Sequence, residues 1–118
     1  MEVMQRALAI DEKAVGPEHT KVAIRVNNLG LVLKDQGDLE GARKCCERAL
    51  AIDEKALGPD HTRVAIRVNN LGSVLQDQGD LEGARRCAGR ALAIFESRLG
   101  KDHPNSILAR SNLRMLQK

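Results

Sequence analysis

Tryptophan and tyrosine are absent from this 118-residue chain, and Phe95 is its one aromatic ring. Its core must therefore be filled by Ala, Leu, Val, Ile, Cys and Met. Small side chains let helices approach closely, which favours all-α packing over a β-sandwich. The same lack argues against nucleic acid as a partner, because single-strand sites stack bases on aromatic faces. Charge of one sign is scarce as well. The net charge is +3 with acids and bases dispersed, far from the dense basic stripe of a nucleic-acid surface. Long apolar runs are missing: charges interrupt each one well before the ~18 residues of a membrane helix. Nothing at Met1-Glu2-Val3 resembles a signal peptide, so a soluble, cytoplasmic chain is expected. Cys45, Cys46 and Cys87 form no CxxC pair. Adjacent positions on a helix point about 100° apart, which speaks against a metal shared by Cys45 and Cys46. Reduced, partly buried thiols are the reading.

What is present is a repeat. Asn27-Asn28-Leu29-Gly30 returns as Asn69-Asn70-Leu71-Gly72, an offset of 42 residues (69 − 27). Asp35-Gln36-Gly37-Asp38-Leu39-Glu40-Gly41-Ala42-Arg43 returns at the same offset as residues 77–85. Residues 1–15 match 43–57, so the chain starts inside the second helix of a repeat. A fixed period of this size marks a helical array rather than a globular enzyme. Apolar content of 42% suffices for a modest core and excludes disorder.

Punctuation places the helices. Gly16-Pro17 and Gly58-Pro59 each close one, since Gly suits the left-handed residue past a helix end and Pro cannot continue it. Gly100 takes the third such place. From Thr20 to Asp35 the residues Val22, Ala23, Val26, Leu29, Gly30 and Leu33 recur at i, i+3, i+4, i+7 spacing, an amphipathic helix of about 24 Å. Gly37 turns the chain, and Asp38 caps a second helix from Leu39 to Leu57. The inner face of that helix is Leu39, Ala42, Cys46, Ala49, Leu50 and Leu57, with Glu40–Lys44 an outward i, i+4 pair. The plan repeats from Thr62 to Leu99, and a last helix spans Pro104 to Leu116. Six antiparallel helices result, in one domain with segments 1–15, 16–57, 58–99 and 100–118. Each pair buries one face internally and leaves another for its neighbour to cover, so the pairs stack.

Asn28-Leu29-Gly30, Gln36-Gly37-Asp38, Ala42 and Ala49-Leu50 sit at the spacings of the tetratricopeptide repeat (TPR), which the chain resembles over nearly its whole length. The 42-residue form, with Gly58-Pro59-Asp60-His61, looks like the repeats of kinesin light chains and of arrays attached to signalling ATPases. The resemblance implies an all-α, right-handed α-α superhelix, a TPR solenoid with first-type helices lining its concave side. It also implies a protein-interaction scaffold that holds an extended peptide or a partner helix there. On that surface it places Asn27, Asn69, Leu31, Ser73, Lys34 and Gln76, with Asn28, Asn70 and Asn112 at its edge. Aromatics common in such repeats are replaced by Leu33, Leu39 and Cys46, and Arg114 stands where Gly30 and Gly72 stand.

An amide donates and accepts at once, which suits gripping a backbone, although one Asn per repeat could equally serve packing. Lys21, Arg25, Lys34, Arg63, Arg67, Arg110, Arg114 and Lys118 give the first-type helices a basic bias. That bias fits an acidic peptide, or else an ordinary solvated face. His19, His61 and His103 recur one per repeat, about a helix diameter or more apart, too far to share a metal whose ligands lie near ~2 Å. They read as loop residues before a helix start. No phosphate loop or special nucleophile appears, so neither enzyme activity nor a cofactor is expected. The rival function is self-association through ends carrying Met1, Val3 and Met4 on one side and Leu108, Leu113, Met115 and Leu116 on the other. A sensor array within a larger signalling ATPase is a third reading.

Overall fold

The computed structural model describes residues 2–16 and 19–117, the side chains at 2, 4, 11, 14 and 15 excepted. Met1, the Met4 side chain, Pro17 and Lys118 lie outside the described residues. Six helices follow one another: α1 (Glu2–Val15), α2 (Thr20–Asp35), α3 (Leu39–Leu57), α4 (Thr62–Asp77), α5 (Leu81–Leu99) and α6 (Pro104–Leu116). No strand occurs among the described residues. Each helix packs on its neighbours in sequence, giving an elongated body of 41 × 30 × 19 Å.

The core is strung along the array rather than gathered at one centre. Val22, Ala23 and Val26 of α2 meet Ala49 and Ile52 of α3, with Leu8 of α1 against them. Ala42 and Cys46 of α3 meet Leu71 and Val74 of α4, which joins one repeat to the next. Val64, Ala65 and Val68 of α4 pack with Ala91, Ile94 and Phe95 of α5, and Ala109 of α6 closes that cluster. This arrangement is what a repeat requires when neighbours cover each other's apolar faces.

The punctuation works as its chemistry demands. Gly58 ends α3 at φ +92°, with Gly16 and Gly100 at the same register and conformation, where a Cβ would be strained. Asp38 accepts from Gly41 N–H at 3.0 Å and Asp80 from Gly83 N–H at 2.9 Å, capping α3 and α5. The histidines have a role that the spacing alone left unassigned. Nδ1 of His19, His61 and His103 accepts from the N–H of Lys21, Arg63 and Asn105 at 3.0, 3.0 and 3.1 Å. Each is therefore the N-cap of a first-type helix. Close approach explains Gly30: a Cβ there would lie 3.0 Å from the Cys45 Cβ and 3.3 Å from the Ala42 carbonyl oxygen.

Two local expectations change. Glu40 bonds Arg43 rather than Lys44, and Arg43 also reaches Glu47 at 2.9 Å. The Arg43 guanidinium holds the Glu40 carboxyl below its ordinary range. On α3, Ile52 and Asp53 are buried beyond the face expected of it.

Candidate functional site

The first-type helices α2, α4 and α6 lie side by side and bring their asparagines together. Between α2 and α4, Asn70 Nδ2 donates to Asn27 Oδ1 at 3.1 Å, and Asn27 is only 4% exposed. Asn27 thus serves the junction between repeats and not an open surface, which corrects its expected place on the groove. The cause is register: α4 lays Asn70 directly over it. Asn28 and Leu31 remain exposed on α2.

One repeat later the corresponding amides stay apart. Asn69, Asn70, Ser73 and Gln76 of α4 and Asn112 of α6 rim a cavity of about 300 Å³. Ala84 and Ala88 of α5 form its floor, with Gly72 and Leu116 completing the wall. Five residues expected at the site therefore converge in one place. Among the described residues, the side chains of Asn69, Ser73, Gln76 and Asn112 make no hydrogen bond, so their donors and acceptors are unspent. At the first junction Cys46 stands where Ala88 stands and is fully buried, as is Val74 at the register of Leu116. A smaller depression of about 140 Å³ adjoins, sharing Asn69 and Asn70 and bordered also by Asn105, Ile66, Phe95 and Leu108. A larger hollow of about 440 Å³ lies between α3 and α5, where Arg43 and Glu47 already satisfy each other.

The basic bias is mostly consumed within the fold. Arg67 is 8% exposed, and its Nε donates to Asp53 Oδ2 at 2.8 Å. It is a buried ion pair tying α3 to α4, which removes Arg67 from the groove. Lys34 pairs with Asp77 at 3.5 Å and Arg110 with Glu96 at 3.4 Å. Lys21 and Arg25 are engaged as well. Burial pushes the thiols of Cys45 and Cys87 up, and that of Cys46 up to about 11, leaving unreactive cysteines without disulfides. Among the described residues no helix is long and apolar enough to cross a membrane.

The tetratricopeptide repeat family model matches residues 22–63 and 64–105, two consecutive repeats that cover more than half of the chain. The chain belongs to the tetratricopeptide repeat family. No curated protein sequence matches it. Among solved structures, BtubC (BKLC) from P. vanneervenii superposes with a TM-score of 0.89 at 30% identity, over 98% of this chain and 46% of that one. The nearly identical TPR-like repeats of a Podosopora anserina protein described as a kinesin light chain give 0.89 at 22% identity, over 98% of this chain and 55% of that one. A single-residue variant of the same Podosopora anserina protein gives 0.88 at 21% identity, over 98% and 54%. The TPR chain thus has the kinesin-light-chain-like helical repeat fold and spans about half the length of these relatives. TPR arrays are non-enzymatic scaffolds that mediate protein–protein interaction.

Proposed function

We propose that this TPR chain captures an extended segment of a partner protein along α2, α4 and α6, anchored in the cavity between α4 and α6. The supporting observation is that Asn69, Ser73, Gln76 and Asn112 converge there from two helices with their hydrogen bonds unspent. The wall is already built, so only the ligand must be ordered on binding. Because Lys34 and Arg67 are paired inside the fold, attraction of an acidic peptide is secondary, and capture should depend only weakly on salt.

The test pairs a native-lysate pull-down, identified by mass spectrometry, with Asn69→Ala/Asn112→Ala. The double variant is expected to weaken capture about tenfold, with folding unchanged because both residues are partly exposed. Equal capture by both proteins would reject the cavity as the anchor. Asn27→Ala serves as the contrast, lowering thermal stability because it removes a junction bond.

A further inference from the structure

We infer that the α4–α6 cavity selects one uncharged carboxamide side chain, asparagine or glutamine, from the bound segment. The inference rests on the groove reading above and specifies its chemistry. The rim offers amides and a hydroxyl, the floor offers methyl groups, and no lining residue is ionisable. A carboxylate entering it would lose water without a cation in the lining to meet it, since the neighbouring Arg85 already donates its Nε to the Leu116 carbonyl at 2.8 Å, and an ammonium would meet no carboxylate in the lining. An alkyl side chain would cover Asn69, Gln76 and Asn112 and leave their donors and acceptors unpaired. A carboxamide supplies one acceptor and two donors, matching groups that themselves both give and take.

The selection falls at a single position of the ligand. At the α2–α4 junction the equivalent positions hold the larger, fully buried Cys46 in place of Ala88 and the fully buried Val74 in place of Leu116, and Asn70 already answers Asn27. Among the described residues, the α4–α6 junction is therefore the one of the two where Asn69 and Asn112 keep their amides unpaired.

A positional-scanning library of extended peptides, displayed on beads and probed with the 118-residue protein, tests this. One position should prefer glutamine or asparagine about tenfold over glutamate, lysine and leucine. Ala88→Cys, which copies the residue of the α2–α4 junction, should abolish that preference while peptides are still captured. Asn112→Asp should move the preference at that position towards lysine. Peptide capture without any amide-preferring position would overturn the carboxamide assignment and leave the groove standing. Absence of capture across the whole library would overturn both.

Discussion

Asp53 and Arg67 meet at one junction the same need that Phe95 and Ala109 meet at the next. The two sets occupy the same register, 42 residues apart (95 − 53), and all four side chains are buried. The polar version is imperfect, since Asp53 Oδ1 has no hydrogen-bond partner among the described residues. Removing one partner strands a buried charge, so Asp53→Ala or Arg67→Ala alone should cost about 3–5 kcal/mol. Asp53→Phe with Arg67→Ala installs the apolar solution and should lie near neutrality or gain up to about 4 kcal/mol. Urea midpoints for the parent and these three variants decide the matter. If each single change costs as little as the pair, the ion pair does not tie α3 to α4. Cys46 makes a second residue-scale prediction. Its thiol is raised from 9.0 to about 11 by burial, so the folded state favours the neutral form. Stability is then complete below about pH 9 and falls as pH rises towards 11, by on the order of 2 kcal/mol. Denaturant melts across that range should show the decline, and Cys46→Ala should lessen it, the raised thiols of Cys45 and Cys87 keeping the remainder.

At the scale of elements, helix packing decides whether a glycine is a necessity or a weakness. Gly89 lies inside α5 with nothing within 4 Å of an added Cβ, whereas Gly30 would press on Cys45 and Ala42. Gly89→Ala should therefore stabilise by about 0.5–1 kcal/mol through reduced chain entropy. Gly30→Ala should destabilise by about 1–3 kcal/mol, because Cys45 must yield. Thermal melts that rank Gly30→Ala above the parent protein would contradict the close α2–α3 crossing. The helix boundaries were legible in the sequence because Gly58, Asp38 and Pro104 act on residues beside them. The site was only partly so. Asn27 and Asn69 are the same residue in the same local context, yet one is buried and the other borders a cavity. The difference comes from Cys46 against Ala88, two positions on other helices, and from what the following first-type helix lays on top. Likewise nothing beside Arg67 in the sequence reveals Asp53, which faces it only once α3 and α4 are packed.

Across the whole molecule, the two ends are not equivalent to the junctions inside. Within the array, Ala23, Val26 and Gly30 of α2, and Ala65, Val68 and Gly72 of α4, receive the following second-type helix. At the same register α6 carries Ile107, Arg110 and Arg114. At the other end α1, itself of the second type, leaves Val3 77% and Ile10 66% exposed. Apolar ends of this kind invite head-to-tail stacking, with α1 of one copy on α6 of the next. Such a contact does not close on itself and would grow open-ended. Arg114 opposes it. At its counterpart Gly30 even a Cβ would come to 3.0 Å from Cys45, and the residue on α1 at the Cys45 register is Val3. A guanidinium there has no room and would be desolvated without a partner. The 118-residue chain is therefore expected not to stack through α6. Ile107→Ala with Arg110→Val and Arg114→Gly remakes that face in the image of α2 and α4, and should produce mass that rises with concentration. Sedimentation velocity on both proteins over a hundredfold concentration range separates the outcomes, and equal assembly, or equal lack of it, would show that Ile107, Arg110 and Arg114 together do not oppose this contact.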